Sequence, residues 1–324
     1  MSPCDVFPSG GDTARDSGLE MQPQRREDTK RSTSGPVIRD IGDTARWAAL
    51  YRARETERPN RLFEDPFARQ LAGARGAEIA AAMPFSEQNE WAWIARTYLF
   101  DQFVTEQVQA GVNEIVNLGA GLDTRPYRLA LPPSLHWVEI DLPAVLDYKE
   151  EILASAVPRC RLERIRCDLS DVAARRDVFS RLRPSDGRAL ILTEGVLMYL
   201  GEQEVGALAS DLSAVIGFDH WVLELQSPGL LRMVQKRMGE PLQEANVLPK
   251  FAPSAGPHFF EPWGWRPAVV RSLLKTAARL KRLSFQMRLI ALLPESSGAQ
   301  GSRPWAGVCL LERARHDRQP GHAV

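Results

Sequence analysis

Residues 114–129, EIVNLGAGLDTRPYRL, decide the fold. Glu114–Leu118 is an apolar run of strand length, and Gly119-Ala120-Gly121 turns the chain where a longer strand would have continued. The same pattern recurs downstream. His136–Ile140 ends at Asp141, Arg161–Arg166 ends near Asp168, Ala189–Thr193 ends at Glu194, and His220–Leu225 is a fifth run. Between them, Pro143–Leu153, Val172–Leu182 and Gln203–Ile216 carry helical spacing. Strand and helix in alternation predict an α/β fold, a doubly wound and mainly parallel sheet with right-handed crossovers.

Working outward, three helices are predicted before the sheet. Thr44–Arg54 places Trp47, Leu50 and Tyr51 on one stripe, Glu64-Asp65-Pro66 opens a helix reaching Leu71, and Trp91–Gln109 is long and amphipathic. After the fifth strand, Ser227–His258 breaks the rhythm with loops rich in Met, Lys and Pro and reads as a lid insertion over a substrate. Phe259–Leu280 supplies a further helix and Trp305–Glu312 a late strand; the basic residues of 271–288 read as the wet face of an amphipathic helix. Residues 1–36 are polar and nearly free of large apolar side chains, so they are predicted to be a disordered tail, as are residues 315–324. Residues 37–314 then form one domain, with 227–258 as its lid.

Composition narrows the function. The 324 residues are 44% hydrophobic and 25% charged, and 41 basic side chains balance 41 acidic ones, which argues against a general nucleic-acid binder. Cys4, Cys160, Cys167 and Cys309 form no CxxC pair and no histidine sits at ligand spacing beside them, so no metal site is expected. Sparse cysteine, no membrane-length apolar run and no signal-peptide core point to a cytoplasmic protein with no membrane partner. Oligomeric state is left open.

The chemistry gathers at the strand ends, where open α/β sheets bind ligands. A glycine turn at Gly119-Ala120-Gly121 and acids at Asp141, Asp168 and Glu194 all face one crevice. Bare glycines admit a ligand to the backbone. Asp141, 20 residues after Gly121, matches the offset of a ribose-binding carboxylate, and Asp168 is placed to accept from an adenine amine. A nicotinamide-dependent oxidoreductase is disfavoured, because Thr124 stands where GxGxxG needs glycine and Asp123 puts an acid where a pyrophosphate would lie. An acid-rimmed crevice suits a cationic sulfonium better. Plainer readings stand beside these. Arg96 pairs with Asp101, Asp123 and Arg125 make a structural turn, Asp141 caps the helix at Pro143, and Trp263 and Trp265 are packing residues.

Val116–Leu129 followed by WVEIDLPAVLDYKEEIL (137–153) resembles the leucine carboxyl methyltransferase-like family, and within it the bacterial S-adenosylmethionine-dependent methyltransferases. DTARWAALYRARETERPNRLFEDPFA (43–68), RTYLFDQFV (96–104), LTEGVLMYL (192–200), GWRP (264–267) and GVCLLER (307–313) extend the resemblance from Asp43 to Arg313. It implies a class I methyltransferase with S-adenosyl-L-methionine as cofactor. Position by position, it implies Arg96 for the methionyl carboxylate and Gly119 beneath the cofactor. It implies Asp141 for the ribose, Asp168 and Leu169 for the adenine, and Glu194 beside the methionine moiety, with Arg52 or Arg54 as a second cation. It also implies O-methylation, of a carboxylate or hydroxyl on a small molecule. The alternatives are methylation of a protein C-terminal carboxylate and, from another class, a non-catalytic nucleotide-binding module. No residue is assigned as catalytic; His258 and Tyr199 are the weak candidates for a base. Arg232, Lys236 and Arg237 either attract an anionic acceptor or form a solvated helix face.

Overall fold

The computed structural model describes residues 37–84, 87–182, 184, 188–244, 247–295 and 303–314; the tails expected to be disordered, 1–36 and 315–324, lie outside them. Asp40 starts the first helix by accepting a bond from Asp43 N at 3.0 Å. Helices α1 (Ile41–Thr56), α2 (Ala68–Ala82) and α3 (Glu90–Gln109) precede the sheet. Then come β1 (Glu114–Leu118), the single turn α4 (Arg125–Arg128), β2 (His136–Asp141), α5 (Pro143–Ile152), β3 (Arg161–Arg166) and α6 (Val172–Arg181). The chain continues through β4 (Ala189–Thr193), α7 (Glu202–Ala214), β5 (Phe218–Gln226) and α8 (Pro228–Glu244). It closes with β6 (Trp265–Ser272), α9 (Leu273–Arg279), α10 (Phe285–Ala291) and β7 (Ala306–Arg313).

The strands lie in the order β3-β2-β1-β4-β5-β7-β6. The first five are parallel, and β7 runs antiparallel between β5 and β6. The chain leaves β1 toward β2 and β3 and returns to β4 on its other side, so the crevice at the carboxyl ends of β1 and β4 is the topological switch point.

Alternation along each strand divides the core. Val116, Val138, Ile191, Trp221 and Leu223 face α6 and α7, joined by Phe260 and Trp265. Ile115, Trp137, Leu190, Leu192 and Val222 face α3 and α9. A third cluster covers the strand ends: Trp47, Leu50, Tyr51, Leu71 and Ile79 of α1 and α2 pack with Leu242 and Val247 from the α8 segment. Among the described residues no helix is long and apolar enough to cross a membrane.

Four sequence expectations change. The helix expected from Glu64 begins at Ala68, because Asp65 is buried in a turn, where its carboxylate accepts from Arg52, Thr124 and Phe67 N. The loops expected after Ser227 are mostly the 17-residue helix α8. Its start signal was present: Ser227 Oγ accepts from Leu230 N and Pro228 takes the first helical position. Phe259–Leu280, expected to supply a further helix, does so as the short α9 but first forms the edge strand β6, whose pairing to β7 is non-local. The basic run 271–288 is likewise split. Arg271 lies in β6, Lys281 takes a φ of 58° between α9 and α10, and Ser284 caps α10.

Candidate active site at the strand ends

The turn after β1 depends on two glycines. Gly119 and Gly121 have φ of 63° and 48°, and a Cβ on Gly119 would lie 2.3 Å from Val196 Cγ2. Gly119 N donates to Ile140 O at 2.8 Å, tying the turn to β2. Gly121 N donates to Asp141 Oδ2 at 2.6 Å, and Leu142 N donates to Asp141 Oδ1 at 2.7 Å. The cap of α5 is Leu142, so Asp141 is not the helix cap that one reading allowed; its carboxylate is turned instead to the glycine loop. Burial pushes the Asp141 carboxyl above its ordinary range, against the two N–H groups that hold it.

Next to this turn runs a chain of buried ion pairs. Arg96, from α3, donates through Nη1 to Glu224 Oε2 at 3.0 Å and Oε1 at 3.3 Å. Arg96 Nε lies 3.0 Å from Glu194 Oε1 but out of line, and it has no hydrogen-bond partner although buried. Arg125 Nη1 reaches Glu194 Oε2 at 2.8 Å and Asp123 Oδ2 at 3.0 Å, while its Nε reaches Asp101 Oδ1 at 2.6 Å. Arg128 shares Asp101 at 2.6 Å and approaches Asp65 at 4.0 Å, and Arg52 holds Asp65 at 2.8 Å. The chain therefore links four arginines to five carboxylates.

Burial alone would raise the Asp123 carboxyl, but Arg125 and Lys149 hold it down to about 2. Glu194 is also buried, yet Arg125 and Arg96 hold it below its ordinary range. A depressed carboxyl stabilises the fold above its unfolded value, and that stabilisation disappears as pH falls through the folded value. The stability difference between the wild type and Asp123→Asn is therefore expected to be full above pH 3.8 and to shrink toward pH 2. Urea unfolding across that range measures it; a difference that stays constant would contradict the assignment.

The exit of β3 completes the rim. Cys167 N donates to Asp141 O at 2.9 Å, which sets Asp168 beside the end of β2. Asp168 is exposed, its Oδ1 accepting from Ser170 N at 2.9 Å and Ser170 Oγ at 2.7 Å. Leu169 is half-buried against the sheet core, and its carbonyl accepts from Arg175 Nη1 at 2.9 Å.

Arg96 and Glu194 are thus in contact, while Gly119, Asp141, Asp168 and Leu169 follow along the adjoining strand ends. Arg96 does not pair with Asp101, which belongs to Arg125 and Arg128. Arg52 is taken by Asp65 and Leu122 O, and Arg54 lies over the Tyr51 ring. His258 is exposed and bonded to Glu261. Arg232, Lys236 and Arg237 lie on the exposed side of α8, as a solvated face does.

Sequence reasoning missed three groups. Glu224 follows Val222 by two residues and so shares the face of β5 toward α3; the signal was an acid inside the otherwise apolar run Leu223–Leu225. Trp93 stacks its ring 4.6 Å from the Arg96 guanidinium carbon. Thr44 of α1 lies beside Tyr199, whose hydroxyl burial pushes up, so Tyr199 is a poor base.

Comparison with known proteins places the fold and the family. A protein of Thermobifida fusca YX, described as a "putative methyltransferase", superposes with a TM-score of 0.51 at 18% identity, covering 86% of this chain and 96% of that one. A DUF574 family protein from Streptomyces avermitilis superposes with a TM-score of 0.51 at 14% identity, covering 84% and 97%. The fold is that of the class I methyltransferases. Residues 45–213 match the leucine carboxyl methyltransferase family. A "Putative S-adenosyl-L-methionine-dependent methyltransferase" of Parafrankia sp. (strain EAN1pec) is 31% identical over 265 residues, 75% of this chain and 82% of that one. A protein of the same description in Frankia alni is 33% identical over 201 residues, 57% and 71%. The chain belongs to the leucine carboxyl methyltransferase family.

Proposed function

We propose that this methyltransferase uses S-adenosyl-L-methionine to methylate an oxygen of a small-molecule acceptor. The observation that carries the reading is the charge balance of the ion-pair chain. In the free protein, five carboxylates against four arginines leave this ion-pair chain one negative charge, and the buried Arg96 Nε within it lacks a hydrogen-bond partner. A ligand that combines a net positive charge with a carboxylate fits both features. When bound, S-adenosyl-L-methionine supplies a methyl group on a sulfonium, open to in-line displacement by a nucleophile.

In this reading Arg96 holds the methionyl carboxylate, Glu194 the ammonium, Asp141 the ribose hydroxyls, and Asp168 with Leu169 the adenine. Gly119 keeps the backbone beneath the cofactor free of side chain. Glu194 and Asp123 are held ionised by arginines and are weak bases, and Tyr199 holds its proton. This favours an acceptor that brings its own charge, a carboxylate ahead of a hydroxyl. Residues 227–258 act as the lid. The segment is tied to Trp305, just before β7, through Ser227 N to Trp305 O at 2.9 Å and to the β4 exit through Lys250 N to Met198 O at 2.7 Å. Acceptors enter beneath it.

The experiment is titration calorimetry with S-adenosyl-L-methionine and NAD, followed by a methyl-transfer screen of carboxylic acids, phenols and peptides ending in a free carboxylate. S-adenosyl-L-methionine is expected to bind and NAD is not, with turnover on a small carboxylic acid. Turnover confined to a peptide C-terminus would replace this reading with the protein carboxyl methyltransferase, and binding of NAD alone would overturn the cofactor.

A further inference from the structure

Glu224 is a buried acid that the proposed reaction does not use, yet it accepts hydrogen bonds from Arg96 through both of its oxygens. Both Glu224 oxygens lie on Arg96 Nη1, at 3.0 and 3.3 Å. Gly195, with φ of 74°, leaves bare backbone beside the pair: a Cβ there would lie 3.6 Å from Arg96 Nη1 and 3.9 Å from Glu224 Oε1. Its N–H lies near the Glu224 carboxylate and favours the ionised form. One guanidinium thus serves two carboxylates, Glu194 and Glu224. A ligand carboxylate arriving at Arg96 would be the third.

We propose that Glu224 occupies the carboxylate seat at Arg96 in the free protein and leaves it when the ligand's methionyl carboxylate arrives, taking up a proton as it goes. The proposal rests on the cofactor reading above. It makes Glu224 a specificity-determining residue for adenosine ligands that carry an amino-acid end, because only they displace it.

The surroundings of Glu224 support the direction of the proton. From α3 it faces Arg96, and from the β4 exit Glu194 and the Gly195 N–H. From the turn that follows it faces Tyr199, and across the β5–β7 pair it sits opposite the non-ionisable Val308. Arg96 is the one cation among these, and Glu194 already shares it. Burial pushes the Glu224 carboxyl above its ordinary range and Glu194 adds to this, with Arg96 and the Gly195 N–H opposing. Removing Arg96 from Glu224 removes the main force that keeps it ionised.

The probes are S-adenosylhomocysteine, which carries the amino-acid end, and methylthioadenosine, which lacks it. Calorimetry at pH 7 in two buffers of different ionisation enthalpy is expected to show protons taken up with S-adenosylhomocysteine and none with methylthioadenosine. From pH 6 to 8 the wild type's affinity for S-adenosylhomocysteine should weaken by up to about tenfold per pH unit. Glu224→Gln should flatten that slope, tighten S-adenosylhomocysteine binding at pH 8 by about tenfold or more, and leave methylthioadenosine affinity unchanged within about twofold. Equal proton counts for the two ligands, or weaker S-adenosylhomocysteine binding in Glu224→Gln, would overturn the proposal. The proton counts need only the wild type. If neither ligand binds the wild type, it is the cofactor reading that fails.

Discussion

Replacing Arg125 with methionine is expected to cost about 3–5 kcal/mol of folding stability at pH 7, the range for breaking a buried ion pair from one side. Arg125 is 3% exposed and touches Asp101, Asp123 and Glu194. Methionine keeps most of its length and none of its charge. Asp123 and Glu194 are then left buried with their main counter-ion gone, and Asp123 would no longer be held near 2. Both can relieve this by taking protons, so the loss should be smaller at pH 4 than at pH 7. Urea unfolding at the two pH values measures it. Arg176→Ala is the comparison: Arg176 is 62% exposed, and its partner Asp211 keeps Arg175 as a second cation, so its loss should barely move the transition. If the two variants lose similar stability, Arg125 is not the hub of this network.

Asp141→Ala is expected to weaken S-adenosyl-L-methionine binding about 10–100-fold. That corresponds to roughly 1.5–3 kcal/mol for hydrogen bonds to a charged acceptor. The loss has two sources. The carboxylate that would accept from the ribose is removed, and Gly121 N and Leu142 N lose the oxygens that fix the turn at 2.6 and 2.7 Å. Methylthioadenosine retains the ribose, so it should suffer the same loss, in contrast to Glu224→Gln, which should spare it. Calorimetry with both ligands tests this, and circular dichroism checks that the variant is folded. A folded variant with wild-type affinity for both would remove Asp141 from the site.

The order of strands and helices from β1 to β5 was legible in the sequence because its causes are local. Apolar runs of strand length, helical spacing between them and a glycine turn after Leu118 each act over a few residues. The rim acids Asp141, Asp168 and Glu194 were legible for the same reason, each lying at or just past the end of a strand. The same locality hid β6. Trp265–Ser272 becomes a strand by pairing with Ala306–Arg313, about forty residues away, and nothing within the segment itself demands it. The helix α8 was missed through weighing its Met and Pro content above the Ser227-Pro228 start signal.

What the sequence by itself determined is therefore the switch-point architecture and the positions that rim its crevice, since strand alternation and turn chemistry act between neighbours. What only the tertiary structure decided is who neutralises whom. Arg96 meets Glu224 across 128 residues and Arg125 meets Glu194 across 69, and neither pairing leaves a local trace. Charges pair through space over a few ångströms, so partners can be assigned only after α3, the β1 turn and β5 have been packed against one another.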